Sequence, residues 1–508
     1  MVAQGKVSRL VESVLDNPII VRDIRSRMRG GKGFAAMGAY AVVMTLVLFV
    51  AGMIIWSTTA VGPGRMIPSS AKFGLYLFMV LTWAQATVLT LMVPSLISGA
   101  LTSEIERKTY EMLALTPLSA ARIVIGKLLP VLMYVLALLI TSLPLSCLCL
   151  LFGSISPAEI AVTYVLLAAW VFLLTCAGVF FSSLFKRTGA ASAVTFGASL
   201  YYFFSSAVSG GILVLGGGFG ATTSNALALL NPGWAPFAAL DSADVFGVAL
   251  PLALAALITH LAQGAIMLLL AISHVRYREA EVALPVRLLL LGLTAFQGWI
   301  SASSMAGMAA ATAGAGAPFS AFALASSQLG LIPVAALVAT GCFKCPRGTS
   351  IFRYAFSGRK TFKTDIGGAI PFMVLWVLVG WGTQALLALH APSLKYMPST
   401  KGMMDDYLLA LVTSLCATVA VCALSILASA LVKSRVLAVL IIYAVLLVGS
   451  VVIGTLTAVK AAVSRSAFDP TLFTAVLSVV LLVVAVVALW SATPAYNRYG
   501  GVQPDYEL

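Results

Sequence analysis

From residue 34 onward, long apolar runs alternate with short polar breaks. Such runs predict membrane-crossing helices, because a helical span needs about 20 mostly apolar residues. A first set falls at Phe34–Trp56, Phe73–Ala100, Leu128–Phe152, Ile160–Leu184, Ala190–Leu215 and Val248–Ser273. A second set falls at Leu288–Ala311, Phe319–Gly341, Gly367–His390, Tyr407–Leu431, Val436–Val459 and Thr471–Ser491. The short alternating segments expected of barrel strands are missing. The pattern predicts an all-α polytopic membrane protein of twelve transmembrane helices, arranged as two diverged six-helix halves.

Three regions follow: a connector at 1–33, a first membrane half at 34–275 and a second at 276–508. In the connector, Val7, Leu10, Val11 and Val14 repeat at helical spacing, with charges on the opposite face. Asp16-Asn17-Pro18 reads as a break and a fresh start, with Asn17 capping and Pro18 in the first turn. Ile20, Ile24 and Met28 continue the stripe, while Arg22, Arg25, Arg27, Arg29 and Lys32 supply charge for anionic headgroups. An amphipathic helix lying on the membrane is expected; a plain basic topogenic tail is the simpler alternative. Without a short apolar core and a small-residue cleavage site, the amino end is expected in the cytoplasm.

Composition agrees: 61% of the 508 residues are hydrophobic, only 9% are charged, and the mean hydropathy is +1.04. A soluble domain carries roughly 25% charged residues. With twelve crossings, the outer loops hold Arg65, Lys72, Lys395, Lys401, Lys460 and Arg465, six of the 31 basic residues. The remaining 25 lie inside, as the positive-inside rule asks. A multi-pass protein of the inner cell membrane with both termini cytoplasmic is expected.

No Lys, Arg, Asp or Glu lies deep within a predicted span. A charge at a helix centre costs about 2.5–3.5 kcal/mol and is usually kept for function, so an ion-coupled carrier would be expected to show one. His260 is the titratable residue nearest mid-span; a histidine bonded to a neighbouring helix is expected rather than a proton relay. The cysteines sit in or beside apolar runs, so no disulfide framework is expected. Cys342-x-x-Cys345 lacks a second pair and a nearby histidine, and reads as small residues at a helix end instead of a metal site.

Between the second and third spans the polar break is longer than a connection requires, running from Thr102-Ser103-Glu104-Ile105-Glu106-Arg107-Lys108-Thr109-Tyr110-Glu111 to Leu115-Thr116-Pro117-Leu118-Ser119. Glu104 with Arg107 or Lys108, and Lys108 with Glu111 or Met112, stand at helical spacing, where ion pairs steady an exposed helix by about 0.2–0.5 kcal/mol each. Met112, Leu113 and Leu115 offer an apolar tip, and Thr116-Pro117 reads as a stop and restart. Arg122 and Lys127 are expected at headgroup level. A charged rim around an apolar tip suits docking into a cleft on a soluble partner; the alternative is a merely solvated loop. The positional counterpart in the second half, loop 343–366, is basic, with Lys344, Arg347, Arg353, Arg359, Lys360 and Lys363 against Asp365. Ser182-Ser183-Leu184-Phe185-Lys186-Arg187 and Ser429-Ala430-Leu431-Val432-Lys433-Ser434-Arg435 echo each other, as in a parallel repeat.

Asn17-Pro18-Ile19-Ile20-Val21-Arg22-Asp23-Ile24-Arg25-Ser26-Arg27-Met28-Arg29 resembles the amino-terminal connector of type-2 ABC transporter permeases. Glu104-x-Glu106-Arg107-Lys108-Thr109, Leu113-Ala114-Leu115-Thr116-Pro117-Leu118-Ser119 and Ile125-Gly126-Lys127-Leu128 are similar to that family's loop between the second and third helices. Asn231-Pro232 fits more loosely, and the likeness covers about residues 10–275. The resemblance implies the membrane subunit of an ATP-driven transporter, most often an exporter, associated with membrane lipids and not with nucleic acid. ATP and magnesium would be bound by a separate nucleotide-binding ATPase subunit, with no cofactor on this chain. Coupling to that subunit would fall to Glu104, Glu106, Arg107, Lys108, Glu111, Leu113, Leu115, Thr116 and Pro117 in loop 101–127, and the interfacial connector to Asn17, Pro18, Arg22, Arg25 and Arg29. Family permeases usually have six spans, so either one chain holds both halves of the pathway, or it pairs with a second copy or a second permease. The parallel echo favours the first arrangement.

The sequence carries no G-x-x-x-x-G-K-[ST] phosphate loop, no H-E-x-x-H zinc site and no G-x-S-x-G elbow. A membrane enzyme acting on lipid-linked substrates would have to draw on the scattered outer acids Glu159, Asp241, Asp244, Asp405 and Asp406. An ATP-independent secondary carrier is the third reading.

Overall fold

A computed structural model describes residues 31–60, 70–109, 118–152, 155–215, 233, 242–245, 248–275, 284–299 and 366–390, with short pieces between 412 and 491. The described chain is predominantly helical. Five helical stretches are long and apolar enough to cross a membrane: Gly33–Ser57, Phe73–Glu106, Ala120–Phe152, Pro157–Leu184 and Leu252–Val275. The chain is an integral membrane protein by this measure; the predicted spans Ala190–Leu215 and Gly367–His390 are helical as well, and the other remaining predicted spans lie wholly or partly outside the described residues.

The first unit comprises 1–200, 231–240 and 251–277. Its helices are α1 (Lys32–Ala60), α2 (Ser70–Ile97), α3 (Thr102–Glu106), α4 (Ala120–Thr141), α5 (Leu143–Leu148) with a 3₁₀ turn at Cys149–Phe152, and α6 (Pro157–Leu184). α7 (Thr188–Leu215) begins in this unit, and a hairpin of β1 (Ser242–Val245) and β2 (Val248–Pro251) precedes α8 (Leu252–Val275). The helix of the sixth span thus starts at Leu252 instead of Val248, because Val248-Ala249-Leu250-Pro251 pairs as a strand.

α6 is the axis of this unit and lies against α2, α4 and α8. Of its apolar window 78% is buried, against 17% for α1, whose Phe34, Leu46, Phe49 and Trp56 face outward. Its start is fixed by a capping box: Glu159 N–H donates to Ser156 Oγ (3.2 Å), Ser156 N–H donates to the Glu159 carboxylate (3.1 Å), and Pro157 stands in the first turn. Two glycines let neighbouring helices approach. A Cβ on Gly178 would collide with Ile97 Cγ2 of α2, and one on Gly264 would stand 2.6 Å from the Phe172 ring. Small residues at such crossings let packing replace the hydrophobic drive that a bilayer does not supply.

The third span begins at Ala120, eight residues before the expected Leu128, and it is broken. α4 stops at Ser142, and α5 follows with Pro144 in its first turn. Pro144 has no N–H to give the Ile140 carbonyl. Ser142 covers the exposed end instead, its hydroxyl and N–H donating to the Leu139 carbonyl at 2.6 and 3.2 Å.

The second unit comprises 201–230, 241–250 and 278–508. Within it, α9 (Leu284–Trp299) and α10 (Ile366–His390) are joined by Trp376 Nε1 donating to Thr294 Oγ1 at 2.6 Å. Arg287 is buried in the first turn of α9, its guanidinium 5.0 Å from the centre of the Phe372 ring. A cation over an aromatic face retains part of the stabilisation that water would give. The expected start at Leu288 therefore moves to Leu284 and brings a buried charge into the helix. α11 (Val419–Ala428) packs Ala420 and Ala423 with Ala488. Tyr201 and Phe203 of α7 are buried.

Candidate functional site

After α2 ends at Ile97, a tight turn leads into α3, and Ser98, Glu104 and Glu106 along it find partners on other helices. The Ser98 hydroxyl is 2.7 Å from that of Ser192 on α7. The N–H groups of Leu101 and Thr102 both donate to Ser182 Oγ of α6, at 2.9 and 3.2 Å. The first N–H groups of a helix have no partner within it, and no side chain of α3 itself caps them. A serine two spans away does so instead.

α3 is only five residues long and ends in a Schellman turn. Lys108 N–H donates to Ile105 O and Thr109 N–H to Glu104 O, each at 3.0 Å, with Lys108 in the left-handed region at φ 57°. Glycine normally takes that position; a side chain there costs about 1–2 kcal/mol. The cost is offset where the chain is held on both sides. Thr109 Oγ1 donates to Glu104 Oε2 at 2.5 Å, and Lys127 Nζ of α4 donates to Glu104 Oε1 at 2.9 Å.

Glu106 reaches the other way. Its carboxylate accepts from Thr188 N–H at 2.8 Å and from Thr188 Oγ1 at 3.1 Å, at the first turn of α7. A carboxylate there meets both an unpaired N–H and the positive end of the helix dipole.

These bonds correct three expectations. The helix does not continue through Lys108 to Glu111: the turn at Lys108 stops it, so Glu104 pairs with Lys127, 23 residues away, and not with its neighbours at helical spacing. Lys127 is buried in that ion pair instead of lying among headgroups. The charged rim is changed, because Glu104 turns inward as a brace and Glu106 is engaged by Thr188, while Glu106, Arg107 and Lys108 are exposed. α4 restarts at Ala120 with Ser119 as its cap, accepting from Arg122 N–H at 3.3 Å. Glu111, Leu113, Leu115, Thr116 and Pro117 lie outside the described residues, as do Asn17, Pro18, Arg22, Arg25, Arg29 and loop 343–365.

Sequence reasoning missed Ser182, Ser192, Thr109 and Thr188. Ser182 stood in the echoed Ser-x-Leu-x-Lys segment, but nothing there marked its hydroxyl as a helix cap. Thr188 directly after Lys186-Arg187 carried a usable signal, since threonine is common at helix starts.

A second polar group lies deeper, at the break in the third span. Gln85 Nε2 of α2 donates to Ser142 Oγ (3.0 Å) and Tyr164 Oη (3.2 Å). The Tyr164 hydroxyl also lies 3.1 Å from that of Ser142 and 2.9 Å from that of Ser146. All the groups are neutral. His260 of α8 is fully buried and packs edge-on against Trp170 at 5.6 Å, while Trp170 Nε1 donates to Thr90 Oγ1 at 3.1 Å. The expected bond from His260 to a neighbouring helix is thus replaced by a ring contact.

Of the acids expected on the outer side, Glu159 is committed to the α6 capping box and Asp244 lies in β1; Asp241, Asp405 and Asp406 are outside the described residues. Among the described residues no three His, Cys, Asp or Glu side chains are grouped to hold a metal. No protein-family model matches the chain, and no curated protein matches it.

Proposed function

We propose that this chain is the membrane-spanning permease subunit of an ATP-driven ABC transporter, most readily an exporter, worked by a separate nucleotide-binding ATPase subunit through loop 101–127. One observation carries the reading. The α2–α4 connection is tied to α4 by Glu104–Lys127, to α6 by Ser182 and to α7 by Glu106–Thr188. A loop tied to three helices passes a push at its tip to all of them, whereas a loop floating in water would pass it only along its own chain. The same reading places the loop and both termini in the cytoplasm of a cell with an inner membrane, and assigns ATP and magnesium to the partner. The broken third span and its neutral polar group lie where a helix can bend without exposing backbone.

The experiment is co-expression with ATPase subunits encoded beside this chain. A complex whose ATPase rate changes on assembly is expected. Substitution of Glu106 by Ala should keep the complex but reduce the change in ATPase rate. No complex, or an ATPase rate indifferent to the chain, would refute the assignment. Chemistry on a lipid-linked substrate by the purified chain without nucleotide would favour the membrane-enzyme reading.

A further inference from the structure

The Glu106–Thr188 bridge brings together two short basic segments that are far apart in the sequence. Arg107 and Lys108 follow Glu106 directly, and Lys186 and Arg187 directly precede Thr188. Adjacent Cα atoms are about 3.8 Å apart, so the 2.8 Å bond between Glu106 and the Thr188 amide gathers all four cations at one corner of the first unit. All four are exposed, and none has an ion-pair partner among the described residues. Glu104 is neutralised by Lys127, and Glu106 offsets one of the four charges at most. Among the described residues the corner therefore carries a net positive charge without a matching counter-charge.

The depth of the corner indicates what would satisfy it. α6 ends at Leu184 and α7 starts at Thr188, leaving Phe185, Lys186 and Arg187 between them, with Phe185 buried. Three residues cannot carry a charge far from the ends of two apolar helices. Arg107 stands ten residues past the end of α2 at Ile97, with Lys108 next to it, and the Glu106–Thr188 bond holds them beside the start of α7. Cations within about one helical turn of a membrane span sit where lipid phosphates sit, and a soluble protein would need them to stand further out.

We infer that Arg107, Lys108, Lys186 and Arg187 form a binding corner for the phosphodiester headgroup of an anionic phospholipid. The site steadies the α2–α3 turn against the start of α7 when occupied. It is independent of the transporter assignment, because it needs only a membrane with anionic lipid.

The test uses the full chain in nanodiscs of phosphatidylcholine containing a minor fraction of phosphatidylglycerol, with co-purifying lipids counted by native mass spectrometry. The wild-type chain should retain phosphatidylglycerol in preference to phosphatidylcholine. The variant R107Q/K108Q/K186Q/R187Q should lose that preference by about ten-fold or more, since each juxtamembrane cation near an anionic surface contributes several-fold. A control with as many charges removed elsewhere, K344Q/R347Q/R353Q/R359Q, should keep it, and R107K/R187K should keep most of it. Equal loss in the corner variant and the control would mean that net charge alone recruits the lipid, and would overturn the proposal. Displacement of the lipid by millimolar inorganic phosphate would assign the corner to free anions and overturn it too. So would unchanged lipid retention together with lost capture of a co-expressed ATPase, which would make the corner a protein dock. Because the four side chains are exposed, the variant should fold, and the single variant R187E provides the same readout with less perturbation.

Discussion

The first unit contains two polar clusters of opposite character, one at the α2–α4 connection and one inside the membrane bundle at the α4–α5 break. The connection is built from full charges, Glu104 with the buried Lys127 and Glu106 with the start of α7, and both carboxylates are at least partly open to solvent. The break is built from Gln85, Ser142, Ser146 and Tyr164, all neutral, with Gln85, Ser142 and Ser146 almost completely buried. The difference follows from the medium. A charge buried in hydrocarbon costs several kcal/mol even when paired, whereas a neutral hydroxyl or amide bonded on each side costs little. At the end of the bundle water and headgroups lower that cost, and charge-assisted bonds are about twice as strong as neutral ones. The two clusters therefore perform the same service, joining three or more helices at a place where the backbone is irregular, with the strongest groups each depth tolerates.

The comparison is broken most sharply by removing one charge and leaving its partner. Lys127→Met takes the cation from the Glu104 carboxylate beside apolar helices and leaves it the Thr109 hydroxyl. Breaking a fully buried pair costs about 3–5 kcal/mol, and the partial exposure of Glu104 lowers this to about 2–3 kcal/mol. The thermal unfolding midpoint in detergent should fall clearly, and amide exchange at Leu101–Thr109 should accelerate. The double variant Lys127→Met with Glu104→Gln should recover more than half of the loss. A double variant as unstable as Lys127→Met alone would show that the stranded charge is not the cause.

At the deeper cluster the corresponding change is Tyr164→Phe. It removes one hydroxyl from three partners, Gln85, Ser142 and Ser146, and leaves the Gln85 amide with Ser142 as its remaining partner of the two. A loss of about 1–2 kcal/mol is expected. Unlike the loss at Lys127, it should be insensitive to salt, because no charge is involved. If high salt altered both variants equally, the distinction between the clusters would fail.

How much of this was legible in the sequence depended on whether a signal was local. The apolar runs gave α1, α2, α6 and α7 to within a few residues, because a span is written in consecutive positions. The capping box at Ser156–Glu159 is equally local. The break at Ser142 was within reach, since Pro144 in an apolar run removes a helix hydrogen bond. By contrast, Glu104 and Glu106 looked like part of a charged rim, because their partners Lys127 and Thr188 lie 23 and 82 residues away. Period and spacing describe one helix at a time, and these carboxylates serve between helices. Arg287 was placed outside its helix for the same reason: the Phe372 ring that receives it is 85 positions further on, a separation no window along the chain spans.

A smaller effect is expected at Lys108, and its sign is the opposite. Its left-handed backbone should be relieved by glycine, giving Lys108→Gly a gain of up to about 1 kcal/mol, since the cost of the side chain at φ 57° disappears while the Schellman bonds stay. Melting measurements against Lys108→Ala separate backbone from charge: both variants lose the ammonium, but only glycine relaxes the turn. Equal stability of the two would show that the turn is not strained.

Glu106→Gln should give the smallest change of the set, about 0.3–1 kcal/mol. The amide oxygen of glutamine can still accept from the Thr188 N–H, so the bond persists while its charge and its attraction to the dipole of α7 are lost. The cost should shrink as salt is raised, because the carboxylate is exposed and its interaction with the helix end is screened over about 10 Å at 0.1 M ionic strength. Amide exchange at Thr188 reads the effect directly: the variant should exchange faster than wild type in low salt and approach it in high salt. Persistence of the full difference at high salt would mean that the contact acts through shape and hydrogen bonding alone. The connection would then differ from the deeper cluster in position only, and not in the kind of force that holds it.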